Sequence, residues 1–254
     1  MPTPRAPAPN IEWETAIGRA AIYGFIARSL LFPTTDARDS VRVELVPLLD
    51  GLSSSSRKLN ELLAEAIAVD VTDPDELRRA HGRIFTHIEN QDCPSHESSY
   101  CPGDVFRRAD LMADVAGFYK AHGLRVGGQR RERVDHITTE LEFMSFLARK
   151  EAYAIENLGP EEVAECRRSE DHFLRDHVGC WVPGFASRLQ LVADHPFFAG
   201  IGSLLSVWIE TDLDWRGVEP AARLTEPQPL PPPTDDSCGA NTHETAGTPV
   251  EIRS

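Results

Sequence analysis

Nineteen prolines divide this chain of 254 residues before any other feature is considered. Four fall in residues 1–10 and seven in residues 219–254, while eight (Pro33, Pro47, Pro74, Pro94, Pro102, Pro160, Pro183, Pro196) are spread over the 208 residues between. Proline fixes φ and lacks an N–H, so it suits the first turn of a helix and breaks a helix interior. The eight therefore read as punctuation between helices. The flanks read as extended chain: the stretch from Glu219 contains PQPLPPPTDD and no Phe, Trp or Tyr. The expected organisation is a disordered N-terminus over 1–10, one domain over 11–218 and a disordered Pro-rich tail over 219–254. No internal repeat is present.

Between the prolines the apolar spacing is helical. Residues 11–31 are apolar around most of the helix circumference, which marks a central, buried helix. Residues 57–70 place Leu59, Leu62, Leu63, Ala66 and Ile67 at i, i+3, i+4 spacing. Asp73-Pro74 then supplies an N-cap with proline behind it. Further helices are expected over 104–122, 135–155, 160–177, 184–193 and 197–211. Alternating strands of useful length are absent. The fold class this predicts is all-α, a single helical bundle.

Charge narrows the partners. Lys and Arg total 26 against 40 Asp and Glu, a formal charge of −14. The tail from Glu219 holds six acids and two bases and the N-terminus holds Arg5, which leaves −11 on residues 11–218. A nucleic-acid binder needs a concentrated basic face, and this domain has the opposite balance. A positively charged partner is expected instead, with carboxylates rimming the surface that receives it. Hydrophobic residues make up 41% of the chain, enough for a sizeable core. No apolar run approaches a membrane span, and MPTPRAPAPN lacks the apolar core of a secretory signal. Five cysteines are too few and too scattered for a disulfide framework. The expected compartment is the cytoplasm.

The helix from Asp135 carries the most information. On a helical wheel Ile137, Leu141, Phe143, Met144, Leu147 and Ala148 form one apolar arc, with Glu140 at its middle and His136 also on it. Asp135 and Glu142 fall on the opposite face. A carboxylate inside an apolar stripe needs a partner or a proton. One reading of Glu140 is a structural contact inside the bundle, with Arg28 of the first helix as partner. Another is a metal site, because His136 and Glu140 stand at i, i+4. His87, Cys93, His96 and Cys101 have zinc-ligand chemistry as well, but their spacing matches no common structural zinc pattern and CxxC is absent. GxSxG, GxxxxGK[ST] and HExxH are also absent. The paired arginines (Arg78-Arg79, Arg107-Arg108, Arg130-Arg131, Arg167-Arg168) read as solvated helix faces rather than an export signal. Beside the role that the resemblance below implies, a helical adaptor and a metal-dependent hydrolase built on His136 and Glu140 stay open.

The run Glu132–Met144 (ERVDHITTELEFM) resembles the signature segment of the TorD/DmsD/NarJ-like chaperones, in which an Asp-His pair precedes ELxFM. Cys93–Tyr100 (CPSHESSY) is similar to that family's proline-containing loop ending in Glu and Tyr, and Met112–Leu124 to its GFY-bearing helix. With the first helix and its Leu31-Phe32-Pro33 end, the resemblance spans about residues 11–215. Within the family the blocks are most similar to chaperones of type II dimethyl-sulfoxide-reductase-like molybdoenzymes. One departure is Val134, where the pair is commonly preceded by proline. The resemblance implies a cytoplasmic, non-enzymatic chaperone without a cofactor of its own, monomeric or a domain-swapped dimer. Its implied partner is a molybdopterin-containing catalytic subunit, bound through a twin-arginine leader peptide and held for molybdenum cofactor insertion. It also implies that Asp135 and His136, with Glu97 and Tyr100, belong to the peptide-binding surface, Asp135 receiving a leader arginine.

Overall fold

A computed structural model describes residues 11–33, 61–62, 64–65, 73–85, 91–103, 105–127 and 132–228. Seven named α-helices lie among them: α1 (Ile11–Leu30), α2 (Pro74–Ile84), α3 (Val105–Ala121), α4 (Ile137–Asn157), α5 (Pro160–Phe173), α6 (Gly179–Val192) and α7 (Pro196–Arg216). A 3-10 turn (Glu97–Ser99) precedes α3, and a π-helical turn (Leu174–Val178) joins α5 to α6. No strand is found among the described residues, so the all-α expectation holds.

The helix starts follow the chemistry expected of them. Asp73 Oδ1 accepts from the backbone N–H of Asp75 and Glu76, with Pro74 at the first helical position of α2. Gly159 N–H donates to Glu162 at the start of α5. α7 opens on Pro196 under a His195 cap and closes on Gly217, whose φ of 65° is the left-handed conformation that ends many helices. The helix expected over 57–70 lies largely outside the described residues.

α1 is the buried axis, packed along α4 and touching α7. The two helices approach closely where Ser145 donates to the Ala20 carbonyl at 2.7 Å, beside Gly24, whose missing Cβ leaves room for the hydroxyl. α5 packs on α4 and α6 on α7. Trp181, Tyr23, Phe173, Phe185 and Phe198 fill the core. Arg19 of α1 also lies in it, buried beside Asp212 at 2.7 Å, Glu151 at 3.3 Å and Glu170. Arg216 joins Glu151 and Glu170, and Tyr23 donates to Asp212.

Two boundaries differ from expectation. Pro183 does not separate helices: residues 160–192 are continuously helical, with the π-helical turn just ahead of it. A π-turn adds a residue and resets the hydrogen-bond register, and such turns accompany helix irregularities. Nor does the chain leave the domain at residue 218. Residues 219–228 cross the π-turn and α6 as a strap: the backbone N–H of Ala221, Leu224 and Gln228 donate to the carbonyls of Arg175, Cys180 and Ser99. Arg223 pairs with Glu210, and Arg188 with Glu226. Proline content predicted a disordered tail from Glu219, whereas residues 219–228 are held against the domain by these bonds.

Candidate functional site

The loop ending at Tyr100 and the loop entering α4 are sewn together by backbone. Glu97 N–H donates to the Asp135 carbonyl and Ile137 N–H to the Ser95 carbonyl, each at 2.9 Å. This bridge seats the Asp-His pair against the 3-10 turn. Asp135 Oδ2 accepts from the backbone N–H of Ser98 at 3.2 Å, and Arg133 grips both carboxylate oxygens at 3.1 and 2.9 Å. Arg133 also donates to Ser98 Oγ at 2.7 Å and contacts the sulfur of Met112 on α3. His136 is the N-cap of α4: its Nδ1 accepts from Thr138 N–H at 3.3 Å. Burial, then the neighbouring His96 ring at 5.2 Å, pushes His136 down to about 3, so the ring is neutral and its Nδ1 lone pair is available to cap.

Asp135 is therefore not on the outer face that the wheel assigned to it. The helix begins at Ile137, so residue 135 does not follow helical angles, and its side chain is fully buried. The place expected for a leader arginine is filled by Arg133 of the same chain. Glu142, by contrast, is exposed as expected.

One layer inward stand Glu97, Glu140, His177 and Trp181. Glu140 accepts from Trp181 Nε1 at 2.9 Å, not from Arg28. Burial raises the Glu142 carboxyl, and the charge of Arg28 acts the other way. His177 Nδ1 is 3.0 Å from Glu97, and its Nε2 is 3.4 Å from Asp114 on α3. Burial pushes Glu97 up to about 8, and the charges of Asp135, Asp114 and Asp176 add to this against a hydrogen bond with Glu140. Burial raises Glu140 as well, followed by the Glu97 charge, with His177 and Trp181 acting the other way. Tyr100 is fully buried beside Trp181, their rings 5.3 Å apart.

The structure thus brings together Asp135, His136, Glu97, Tyr100 and Glu140, and leaves Arg28 elsewhere. The spacing argument missed Arg133, His177, Trp181 and Asp114. His177 and Trp181 stand at i, i+4 and show a polar residue within an apolar stretch, the one signal that marks them. Among the described carboxylates Glu97, Asp135, Glu140, Glu151, Glu170 and Asp212 are buried, while the others are at least partly exposed. Among the described residues no group of three or more His, Cys, Asp or Glu side chains is placed to hold a metal ion. Within the metal-ligand candidates, His136 Nδ1 is engaged as a cap and Glu140 faces Trp181; His87 lies outside the described residues. Cys93 and Cys101 are buried free thiols, and burial pushes Cys93 up to about 12. No helix among the described residues is long and apolar enough to cross a membrane.

Residues 49–187 match the family described as nitrate reductase delta subunit. The perchlorate reductase assembly chaperone protein of Dechloromonas aromatica (strain RCB) is 25% identical over 208 residues, covering 79% of this chain and 91% of the relative. The selenate reductase assembly chaperone protein of Thauera selenatis is 30% identical over 121 residues, 48% of this chain and 60% of the relative. Chaperone protein TorD of Psychrobacter sp. (strain PRwf-1) is 25% identical over 187 residues, 70% and 82%. The family match contains the whole Glu97, Asp135, Glu140, His177, Trp181 cluster, whereas Arg19 and Asp212 lie outside it.

Proposed function

The chain belongs to the nitrate reductase delta subunit family, and from that premise we propose that it is a redox-enzyme maturation chaperone of a type II dimethyl-sulfoxide-reductase-like molybdoenzyme. It binds the molybdopterin-containing catalytic subunit through a twin-arginine leader and holds it while the molybdenum cofactor is inserted. It does so in the cytoplasm, without catalysing a reaction itself. The observation that carries this reading is that the relatives are chaperones, two of them assembly chaperones for perchlorate and selenate reductases.

Physical chemistry supports the leader as the bound element. A twin-arginine leader joins a cationic start to an apolar helical stretch. The helical domain carries −11, which favours encounter with a cation, and apolar surface supplies affinity by covering the apolar stretch. Asp135, His136, Glu97 and Tyr100 fix this binding surface from within: they lock the two loops that carry Arg133 and the start of α4. A leader arginine approaching Asp135 competes with Arg133 for its carboxylate.

The test is titration calorimetry of the full chain against the twin-arginine leader peptide of a type II molybdopterin catalytic subunit. The expected result is saturable one-to-one binding that weakens with salt. Absence of binding to the leader, with the isolated catalytic subunit still bound, would replace the leader by the mature body as the bound element.

A further inference from the structure

Beneath α3 the structure gathers more acid than base. Glu97 and Glu140 are both buried, Glu97 beside His177 Nδ1 at 3.0 Å and Glu140 accepting from Trp181 Nε1 at 2.9 Å. Asp135 from the loop before α4, Asp114 from α3 and Asp176 from the π-turn bring further negative charge to the same place. The groups facing them are His177 of the π-turn, the Trp181 indole N–H of α6 and the Tyr119 phenol of α3. Tyr119 donates to the Val134 carbonyl at 2.8 Å, and Arg133 is engaged with Asp135 and Ser98. No side chain donates to Oε1 of Glu140, although that oxygen is fully buried. Buried carboxyls ordinarily have a donor or a cation at such a position.

The cover over this pair is lightly fastened. Of the residues of α3, Val115 and Tyr119 are the buried ones. Phe118 adds ring contacts at 5.2 Å to Phe173 and 5.4 Å to His177. Glycines in positive-φ conformations stand on both sides of the helix, Gly103 at 133° and Gly123 at 72°. Asp114 sits on the outer side of this cover with its side chain 66% exposed, one histidine away from Glu97.

We propose that the Glu97–Glu140 pair is the receiving site for an arginine of the client peptide, reached when α3 lifts from the bundle. The proposal rests on the leader-binding reading and moves its cation contact from Asp135 to two carboxyls one layer deeper. A guanidinium presents five N–H donors in a planar fork and satisfies two facing carboxylates at once, including the oxygen that has no donor. In the unbound chain, protons occupy the place of that cation. Binding therefore expels them: each carboxyl transfers its proton to solvent as the guanidinium pairs with it. Asp114 meets the incoming charge first, and the lifting of α3 parts Asp114 from His177.

The experiment is calorimetry of the full chain with a synthetic peptide carrying an Arg-Arg pair followed by an apolar helical stretch. It is run in buffers of different ionisation enthalpy, with a Gln-Gln peptide as control. The expected result is release of roughly one to two protons per Arg-Arg peptide near pH 7, with affinity rising about tenfold per pH unit for each proton released. The Gln-Gln peptide should release none. Glu97→Gln with Glu140→Gln should abolish the release and weaken Arg-Arg binding to the Gln-Gln level, with the helical circular-dichroism signal retained. Arg-Arg binding without proton release overturns the proposal and leaves the leader reading standing. Equal binding of the two peptides, or binding of neither, overturns both. Should the double variant fail to fold, proton release by the wild-type chain still decides.

Discussion

Asp135 shows how much one side chain holds in this fold. Its carboxylate accepts from the Ser98 backbone and is clasped by Arg133, so the 3-10 turn and the entry to α4 share one anchor. Removing it leaves a buried backbone donor and a half-exposed guanidinium without their acceptor. Asp135→Ala is expected to cost about 1–3 kcal/mol in urea unfolding. Glu97 sets a pH dependence of opposite sense to the usual carboxylate. Its folded value of about 8 stands above the ordinary range, so the folded state holds a proton that the unfolded chain has released. That contribution is complete below the ordinary carboxylate range and is lost as pH rises towards 8. Glu97→Gln should flatten the decline in stability between pH 5 and 8, a change read by denaturation at a series of pH values.

At the scale of elements, Arg19 and the strap depend on contacts distant in sequence. Arg19 lies on the largely apolar α1 and meets carboxylates from α4, α5 and α7. Arg19→Ala leaves those carboxylates buried without their cation and should cost about 3–5 kcal/mol, measured by chemical denaturation. The strap runs so close to α6 that a Cβ on Gly184 would stand 2.4 Å from the Leu224 carbonyl oxygen and 2.9 Å from Thr225 Cα. Gly184→Ala should therefore displace residues 219–228. Limited proteolysis checks this: cleavage within the strap is expected in the variant well before cleavage in the helices, and equal protection in both chains would contradict it.

At the scale of the whole molecule, the helices were legible because their apolar spacing and caps are local signals. α1 as a buried axis, the Asp73-Pro74 start and the Pro160 and Pro196 starts all follow from a few neighbouring residues. The continuity through Pro183 was not legible, since a π-turn depends on tertiary packing rather than on a residue type. The candidate site was half legible. The Asp-His pair and Glu140 stand out against their surroundings in sequence. Arg133, His177 and Asp114 join them only when α3 and the π-turn fold over the loops, and helical angles misplace Asp135 because it precedes the helix.

On the proposed reading, the chain keeps a molybdoenzyme catalytic subunit competent to receive molybdenum cofactor. The direct measurement is molybdenum per catalytic subunit, by elemental analysis of the enzyme purified from cells with and without the chaperone gene. Cells lacking the gene should yield catalytic subunit with a small fraction of the wild-type molybdenum, restored by a plasmid copy. Catalytic subunit loaded to the wild-type level without the chaperone would contradict the account.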